Sequence, residues 1–410
     1  MSSALRSALA HFEQRDGEII VGGMPISQVA ARYGTPLYLY DRGVLHWRHR
    51  MLREKLPPDL KIYYAVKANP HHEVLRELGG LYDGVDVASK GEMVKAMAAG
   101  IAAAKMSFAG PGKGLDELRF AVENGIGTIS VESEREIEHL RLLGEHFQKE
   151  VRVLMRINPA FELAKSGMKM GGGAKAFGMD SELIPALLQR WRGDQHVKVE
   201  GIHIYAGSQN LNADAILEAY HKILEYAIEL VAATDFQLRI VNLGGGLGIS
   251  YFAGDGTLDL GRIGNGLTEM LAQARPRLSR AEFRIELGRY IIGECGLYVC
   301  RVRYRKVSRG ETFLVLDGGM NHHLAASGNF GQSFIRRSMP LTVANRLNGA
   351  LEKVNVVGPL CTPLDTFGMN VELPHAGEKD LIVVMNSGAY GYSASPLGFL
   401  SHEAPHEVVL

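Results

Sequence analysis

The sequence predicts an α/β protein: a (β/α)8, TIM-like barrel followed by a C-terminal β-rich domain of sandwich-like or barrel-like form. Three observations predict it. Eight short β-favouring runs alternate with amphipathic helical runs between about residues 40 and 280. Polar and glycine-rich segments follow the carboxyl ends of several of these runs. Beyond residue 290 the strand-like runs continue, but few helix-length runs do. A doubly wound sheet is the alternative for the first part.

The expected domains are an N-terminal segment that joins the β domain (1–38), the barrel (39–285) and the C-terminal β domain (286–410). The predicted barrel strands are 62–66, 84–87, 106–109, 128–131, 152–157, 199–205, 239–243 and 283–286. Predicted helices include 91–99, 116–123, 134–143, 183–191 and 213–232. The predicted strands of the β domain are 298–307, 312–317, 351–357 and 381–385.

Composition excludes several classes of protein. The 410 residues are 46% hydrophobic and 22% charged, with 45 basic and 45 acidic side chains. No net field would therefore attract nucleic acid or an anionic membrane. The three cysteines form no disulfide framework, and no signal peptide or stretch of about 18 apolar residues is evident. We expect a cytoplasmic protein without a metal-ligand cluster.

One lysine is the centre of the predicted site. Lys67 follows the first barrel strand and precedes Ala68-Asn69-Pro70, where the proline disfavours helix at Asn69. It is therefore expected at the carboxyl end of a barrel strand, where such folds keep reactive groups. Shielded from water, a lysine there would have a lowered pKa and could form a Schiff base. Alone, however, a strand-end lysine more often reaches into solvent.

Two further strands end in charged side chains. Asp86 could lie near Lys67 or simply face the barrel interior, and Ser89 is expected to cap the helix that follows. Arg156 ends the strand 152–157. If buried, it requires an acidic or anionic partner.

The segment GIHIYAGSQ runs from a strand into a loop. His203 and Tyr205 share one face of the strand by its two-residue period. Ser208 offers a hydroxyl and a backbone amide. A single histidine at such a place is more often structural, so the loops that follow decide its interpretation.

Glycines 244–246 follow the seventh predicted strand. The backbone amides of Gly245 and Gly246 could converge on an anion such as phosphate, which barrels often bind after strands 7 and 8. The eighth strand ends in Glu286-Leu287-Gly288-Arg289. Either Glu286 and Arg289 form a local salt bridge, or the carboxylate serves a cofactor nitrogen and the guanidinium a phosphate.

Two motifs lie in the predicted β domain: GPLCTPLD, which contains Cys361, Thr362 and Asp365, and SGAYGY, which contains Tyr390. A lone cysteine is usually a small buried apolar residue. Between two prolines, with an aspartate four residues on, Cys361 is interpreted as placed for chemistry.

Seven motifs in order (YAVKAN, DVASKGE, HIYAGSQ, GGGLG, ELGR, GPLCTPLD and GAYGY) resemble the fold-type III pyridoxal-phosphate decarboxylases, the group of diaminopimelate and ornithine decarboxylases. The resemblance covers roughly residues 35 to 400. It implies a homodimer with shared active sites and a pyridoxal 5'-phosphate cofactor bound to Lys67. It further implies that Ser208, Gly245, Gly246, Arg289 and Tyr390 bind the phosphate.

The remaining implied roles are as follows. Glu286 would keep the pyridine nitrogen protonated, and Tyr205 would stack on the ring near His203. Asp86 and Arg156 would surround the ring and Lys67. Cys361 and Asp365 would enter the site of the neighbouring subunit, where Cys361 or Lys67 protonates the α-carbon.

The sequence departs from diaminopimelate decarboxylases in three places. Tyr205 replaces the second histidine of HxHxGS, ELGR replaces EPGR, and Thr362 replaces the glutamate that reads a distal amino group. An unpaired distal ammonium would cost on the order of 2–5 kcal/mol. The variant resembles the subgroup acting on conjugated or carrier-bound amino acids in secondary-metabolite, siderophore, exosortase or exopolysaccharide clusters, so Thr362 is a candidate substrate contact.

Three alternatives remain open at this point. One is a true diaminopimelate decarboxylase of lysine biosynthesis. Another is an enzyme resembling alanine racemase, although racemases lack the GPLCTPLD element. The third is an inactive decarboxylase-like binding protein, against which the survival of Lys67, the glycine loop and Tyr390 weighs.

Overall fold

The computed structural model describes residues 2–160, the backbone of 168–169, and residues 173–328 and 337–410. The chain forms two compact units. The barrel unit comprises His49–Gly248 and Leu258–Gly288. The β unit comprises Met1–Arg48, Ile249–Thr257 and Arg289–Leu410.

Eight parallel strands close the barrel, and all eight coincide with predicted strands to within two residues at each end. Each strand pairs with the next one along the chain, and the last strand pairs with the first, so the sheet has no open edge. The short strand Met179–Asp180 also pairs, in parallel, with the fifth strand. Barrel strands 1 to 8 are Lys61–Ala65, Gly84–Val87, Met106–Phe108, Thr128–Val131, Val151–Asn158, Val197–His203, Ile240–Asn242 and Glu282–Leu287.

Amphipathic helices alternate with these strands because each parallel crossover needs a covering element. As predicted, Ser89 caps the helix Lys90–Ala98 by accepting a hydrogen bond of 3.1 Å from the Glu92 N–H. The Glu92 carboxylate in turn accepts from the Ala88 N–H. The helices are Arg42–Lys55, His72–Leu81, Lys90–Ala98, Leu115–Glu123, Glu134–Phe147, Ile184–Arg190, Ala213–Thr234 and Leu260–Ala274.

The β unit contains a mixed eight-stranded sheet organised around the long strand Gly296–Ser308. This strand pairs with Leu37–Tyr40, Leu381–Val384 and Glu311–Leu316, all antiparallel. Leu37–Tyr40 also pairs with the C-terminal strand His406–Val409, so the N-terminal segment is part of this sheet. The other strands of the unit are Glu13–Arg15, Glu18–Val21, Met24–Pro25, Leu341–Val343, Leu351–Val357 and Thr366–Pro374. Its helices are Ser3–Leu9, Ile26–Tyr33 and Arg289–Ile292.

Each unit has its own apolar core. Burying one large apolar side chain contributes about 1.5–3 kcal/mol. Fully buried rings of the β unit include Tyr38 and Tyr298, and those of the barrel unit include Tyr64, Phe108 and Phe283. Among the helices of the described residues, none combines the length and apolar character that crossing a membrane requires.

Candidate active site

Lys67 lies immediately beyond the carboxyl end of barrel strand 1, in the single 3-10 turn Val66–Ala68. The Asn69 N–H closes this turn on the Val66 carbonyl, and the buried Tyr64 hydroxyl donates to the Asn69 carbonyl at 2.9 Å. The turn carries the Lys67 side chain past the strand end, so it is exposed rather than shielded. Its Nζ atom lies 5.7 Å from the centroid of the Tyr205 ring.

Two buried carboxylates belong to the strands on either side of strand 1. Asp86 is 2% exposed and Glu286 is 5% exposed. Burial raises the pKa of Asp86 well above its ordinary value, and the negative charge of Glu286 adds to this effect. The Lys67 charge and a hydrogen bond of 2.8 Å from the Ser107 hydroxyl oppose it. Asp86 therefore tends to hold its proton.

Glu286 has the opposite tendency. Burial raises the pKa of Glu286, but the charges of His203 and Lys67 and hydrogen bonds from His203 and Asn242 outweigh burial, and the net shift is downward. The His203 Nε2 atom lies 3.4 Å from one carboxylate oxygen, and Asn242 Nδ2 donates to the other at 2.5 Å. His203 Nδ1 is 3.0 Å from the Ser130 hydroxyl. Neighbouring acids with opposed pKa shifts are typical of catalytic sites.

The glycine loop approaches other backbone too closely for side chains. A Cβ atom at Gly245 would overlap the Glu286 carbonyl oxygen. One at Gly246, whose φ is +110°, would lie 2.7 Å from the Gly207 carbonyl oxygen. The Asn210 N–H donates to the Gly246 carbonyl at 2.9 Å, which joins this loop to the one that carries Ser208. Gly245, Gly246 and Ser208 are half-buried.

Arg156 is buried at the carboxyl end of barrel strand 5, and its partner is the carboxylate of Glu132 at 2.6 Å. The Glu132 carboxylate also accepts hydrogen bonds from the Gly110 and Gly178 amides. This ion pair ties together the loops after strands 3, 4 and 5. The role of Arg156 beside a cofactor ring stays a prediction.

In the β unit, Arg289 begins the helix Arg289–Ile292 and lies between two tyrosine rings. Its Cζ atom is 4.7 Å from the Tyr390 ring centroid and 5.3 Å from that of Tyr251. Its Nη1 atom donates to the Tyr251 hydroxyl at 3.1 Å. Tyr390 has φ +54°, a region that non-glycine residues rarely adopt and that clusters at functional sites.

The motif GPLCTPLD forms a tight loop around Asp365. Asp365 is 2% exposed, and its carboxylate accepts from the Met320 and Leu360 amides at 2.7 and 2.8 Å. Asp365 thus holds the loop from within, and its direct contact with a substrate stays a prediction. The loop displays Cys361, which is exposed, and half-buried Thr362, whose hydroxyl accepts from the Leu364 amide.

Sequence reasoning missed four polar side chains that contact the predicted residues: Ser107, Ser130, Asn242 and Tyr251. Ser107 and Ser130 sit inside short strands and carry no motif. Only the two-residue period, which points both into the barrel, could have identified them. Asn242 lies two residues before Gly244. Its bond with the Gly244 amide is local, whereas its bond to Glu286 depends on how strands 7 and 8 pair.

The barrel unit therefore has the parts that pyridoxal phosphate requires. A primary amine, Lys67, ends one strand, and a buried carboxylate with a lowered pKa, Glu286, lies on the adjacent strand. The third part is the glycine loop, in which a Cβ atom at Gly245 or Gly246 would clash with neighbouring backbone. The fold and these residues fit a barrel enzyme in which a lysine would hold a carbonyl cofactor.

Comparison with known proteins places the chain in a family. The family described as pyridoxal-dependent decarboxylase, pyridoxal binding domain, matches residues 42–293. The chain belongs to this family and is a pyridoxal-phosphate-dependent decarboxylase, as the sequence predicted.

Several relatives match nearly the whole chain. The L-glutamyl-[BtrI acyl-carrier protein] decarboxylase of Niallia circulans is 39% identical over 94% of this chain and 90% of its own length. The diaminopimelate decarboxylase of Aquifex aeolicus is 29% identical over 94% and 89%. The structure of AQ1208 from Aquifex aeolicus superposes with a TM-score of 0.85 at 27% identity, covering 100% of this chain and 94% of that one. The diaminopimelate decarboxylase of M. jannaschii has a TM-score of 0.89 at 23% identity, covering 98% and 93%, and supports the fold alone.

Proposed function

We propose that this decarboxylase removes the α-carboxylate of an amino acid that is attached through its distal end to an acyl-carrier protein. One observation carries the proposal. Identity is 39% to a relative whose substrate is an L-glutamyl group on a carrier protein, against 29–30% to diaminopimelate decarboxylases such as those of Aquifex aeolicus and Pseudomonas aeruginosa. A Staphylococcus aureus relative, 28% identical, acts on 2-[(L-alanin-3-ylcarbamoyl)methyl]-2-hydroxybutanedioate, another amino acid that is not diaminopimelate.

The neutral residue at position 362 agrees with this substrate class. An amino acid linked through its distal carboxyl group carries no distal ammonium, so it needs no acidic partner there. Thr362 supplies only a hydroxyl, which the Leu364 amide already contacts at 3.3 Å. A free diamino acid would instead leave its distal charge without a carboxylate at this position.

The residues of the barrel unit support the chemistry directly. Bound pyridoxal phosphate supplies an electron sink for the pair left when CO2 departs. The amine of Lys67 can attach the cofactor and later return a proton to the α-carbon. The Glu286 carboxylate can hold the positive charge of a ring nitrogen, and Tyr205 offers a flat face above Lys67.

We further propose a cytoplasmic homodimer in which Cys361 acts on the site of the partner subunit. The exposure of the Cys361 thiol on a loop held rigidly by Asp365 supports this arrangement. Arg289 and Tyr390 are proposed to take part in holding the phosphate, as the family resemblance implies.

The test is CO2 release by cofactor-loaded protein, with Lys67→Ala as the blank. The panel contains free meso-diaminopimelate, ornithine, lysine and glutamate, beside L-glutamate linked through its distal carboxyl group to an acyl-carrier protein. We expect turnover with the carrier-linked amino acid and little with the free ones.

Rapid turnover of free diaminopimelate would instead assign the enzyme to lysine biosynthesis. Inversion of an α-carbon without CO2 release would favour the racemase alternative. A Thr362→Glu variant adds a discriminating arm, because a restored carboxylate should raise activity toward free diaminopimelate and lower it toward the carrier-linked substrate.

A further inference from the structure

We propose that Asn242 is a positioning residue that sets the Glu286 carboxylate and the first amide of the glycine loop in one fixed arrangement. The inference concerns how the chain prepares itself for pyridoxal phosphate, and it does not depend on which amino acid is decarboxylated.

Asn242 contacts both groups directly. Asn242 is 1% exposed and ends barrel strand 7, next to strand 8, which carries Glu286. Its Nδ2 atom donates to the Glu286 carboxylate at 2.5 Å, and its Oδ1 atom accepts from the Gly244 N–H at 2.9 Å. A carboxylate only accepts and an N–H only donates, so the chemistry of the two partners fixes the orientation of the amide.

At neutral pH the two contacts need one side chain that both donates and accepts, as an amide does. An aspartate at position 242 could accept from the Gly244 N–H, but as a carboxylate it could not donate to Glu286. A leucine of similar size could do neither. Asn242 is also one of the groups that lower the pKa of Glu286 despite its burial.

The backbones of the glycine loop and of barrel strand 8 also meet. The Glu286 N–H donates to the Gly244 carbonyl at 2.8 Å, and a Cβ atom at Gly245 would overlap the Glu286 carbonyl oxygen. The glycine loop and the end of strand 8 are therefore in direct contact. The Asn242 side chain adds a link from the loop to the carboxylate itself, so displacement of either end would be transmitted to the other.

The structure supplies a matched control. Asn355 in the β unit is also 1% exposed, donates to a glutamate (Glu311, 2.7 Å) and accepts from a backbone amide (Asn370, 2.8 Å). The same substitution at Asn355 therefore tests the loss of a buried bridging amide outside the site.

The experiment measures the dissociation constant of pyridoxal phosphate for cofactor-free protein at pH 5.5 and 8.5, from its absorbance, without substrate. In Asn242→Asp, two adjacent carboxyl groups share a proton at low pH, and the shared proton restores the donor. We expect Asn242→Asp to bind pyridoxal phosphate with an affinity within about threefold of wild type at pH 5.5. At pH 8.5 we expect binding at least about tenfold weaker, because one charge-assisted hydrogen bond is lost.

Asn242→Ala should bind pyridoxal phosphate about tenfold or more weakly at both pH values. Asn355→Asp should keep an affinity within about twofold of wild type. The proposal would be overturned if the dissociation constant of Asn242→Asp, divided by that of wild type, did not change with pH. It would also be overturned if Asn242→Ala bound pyridoxal phosphate with wild-type affinity. If Asn242→Ala does not fold, the pH dependence of Asn242→Asp decides alone. Because no amino acid is present, the result is independent of the carrier-linked substrate.

Discussion

The Ser107 hydroxyl donates a hydrogen bond of 2.8 Å to the Oδ1 atom of Asp86 across two adjacent barrel strands. This bond favours the ionised form of Asp86, but burial and the nearby Glu286 charge favour the protonated form more strongly. Asp86 is thus a buried acid whose pKa is higher in the folded protein than in the unfolded chain. Such an acid reduces stability increasingly as the pH rises between the two values.

Asp86→Asn is therefore expected to stabilise the cofactor-free protein more at pH 8 than at pH 5. The gain should grow by up to about 1.4 kcal/mol for each pH unit between the unfolded and folded pKa values. Urea denaturation at both pH values measures it, and the variant should lose activity because Asp86 is close enough to Lys67 for the lysine charge to act on its pKa.

Asp83 provides the opposite control. Burial raises the pKa of Asp83, but hydrogen bonds from the Ile62 amide and from Arg53 lower it by more, so the net shift is downward. Its stabilising contribution is present above the unfolded pKa and is lost as the pH falls, so Asp83→Asn should destabilise the protein at both pH 5 and pH 8. A gain for Asp86→Asn that is the same at both pH values would contradict the interpretation of Asp86.

Gly245→Ala should sharply weaken cofactor binding, because its methyl group would overlap the Glu286 carbonyl oxygen and must move either the loop or strand 8. Overpacking of this kind typically costs about 1–3 kcal/mol. Spectroscopic titration with pyridoxal phosphate and thermal unfolding measure the two effects. Gly112→Ala is the control, because a methyl group there meets nothing within 4 Å. Equal behaviour of the two variants would show that the loop has room to adjust.

Tyr251→Phe keeps the ring against Arg289 but removes the hydroxyl that accepts from its guanidinium. Hydrogen bonds to charged groups contribute about 1.5–3 kcal/mol, so we expect roughly tenfold weaker cofactor binding if Arg289 holds the phosphate. Addition of inorganic phosphate as a competitor separates this effect from the Lys67 linkage. Unchanged competition by phosphate would argue against the role of Arg289.

Acid should destabilise the β unit through His323. Burial lowers the pKa of His323 to about 3, and its Nε2 atom lies 3.0 Å from the Ser387 hydroxyl. The unfolded chain takes up the proton first, so stability falls as the pH drops from about 6.5 towards 3. Between pH 6.5 and 5 the loss is on the order of 2 kcal/mol. His323→Gln should reduce this slope in denaturant titrations.

The barrel could be predicted almost completely from the sequence. Strands such as Gly84–Val87 and Thr128–Val131 begin and end where the pattern places them. A parallel strand buried on both faces reads as a short apolar run, and turn residues mark its ends. Strands such as Thr366–Pro374 and His406–Val409 were missed, because polar residues interrupt the first and the second pairs only with a distant N-terminal strand.

The sequence by itself determined the chemistry of this protein: a lysine after a strand, a glycine loop, an acid near the end of the last barrel strand and an arginine just after it. These follow from local residue order, because each motif occupies one strand end, and parallel strands bring those ends together. Only the tertiary structure decided how the side chains are ionised and held. The opposed pKa shifts of Asp86 and Glu286, and the bonds of Ser107 and Asn242, arise from burial and from neighbours on other strands. Electrostatic energy depends on distance and solvent exposure in three dimensions, which the order of residues along the chain does not contain.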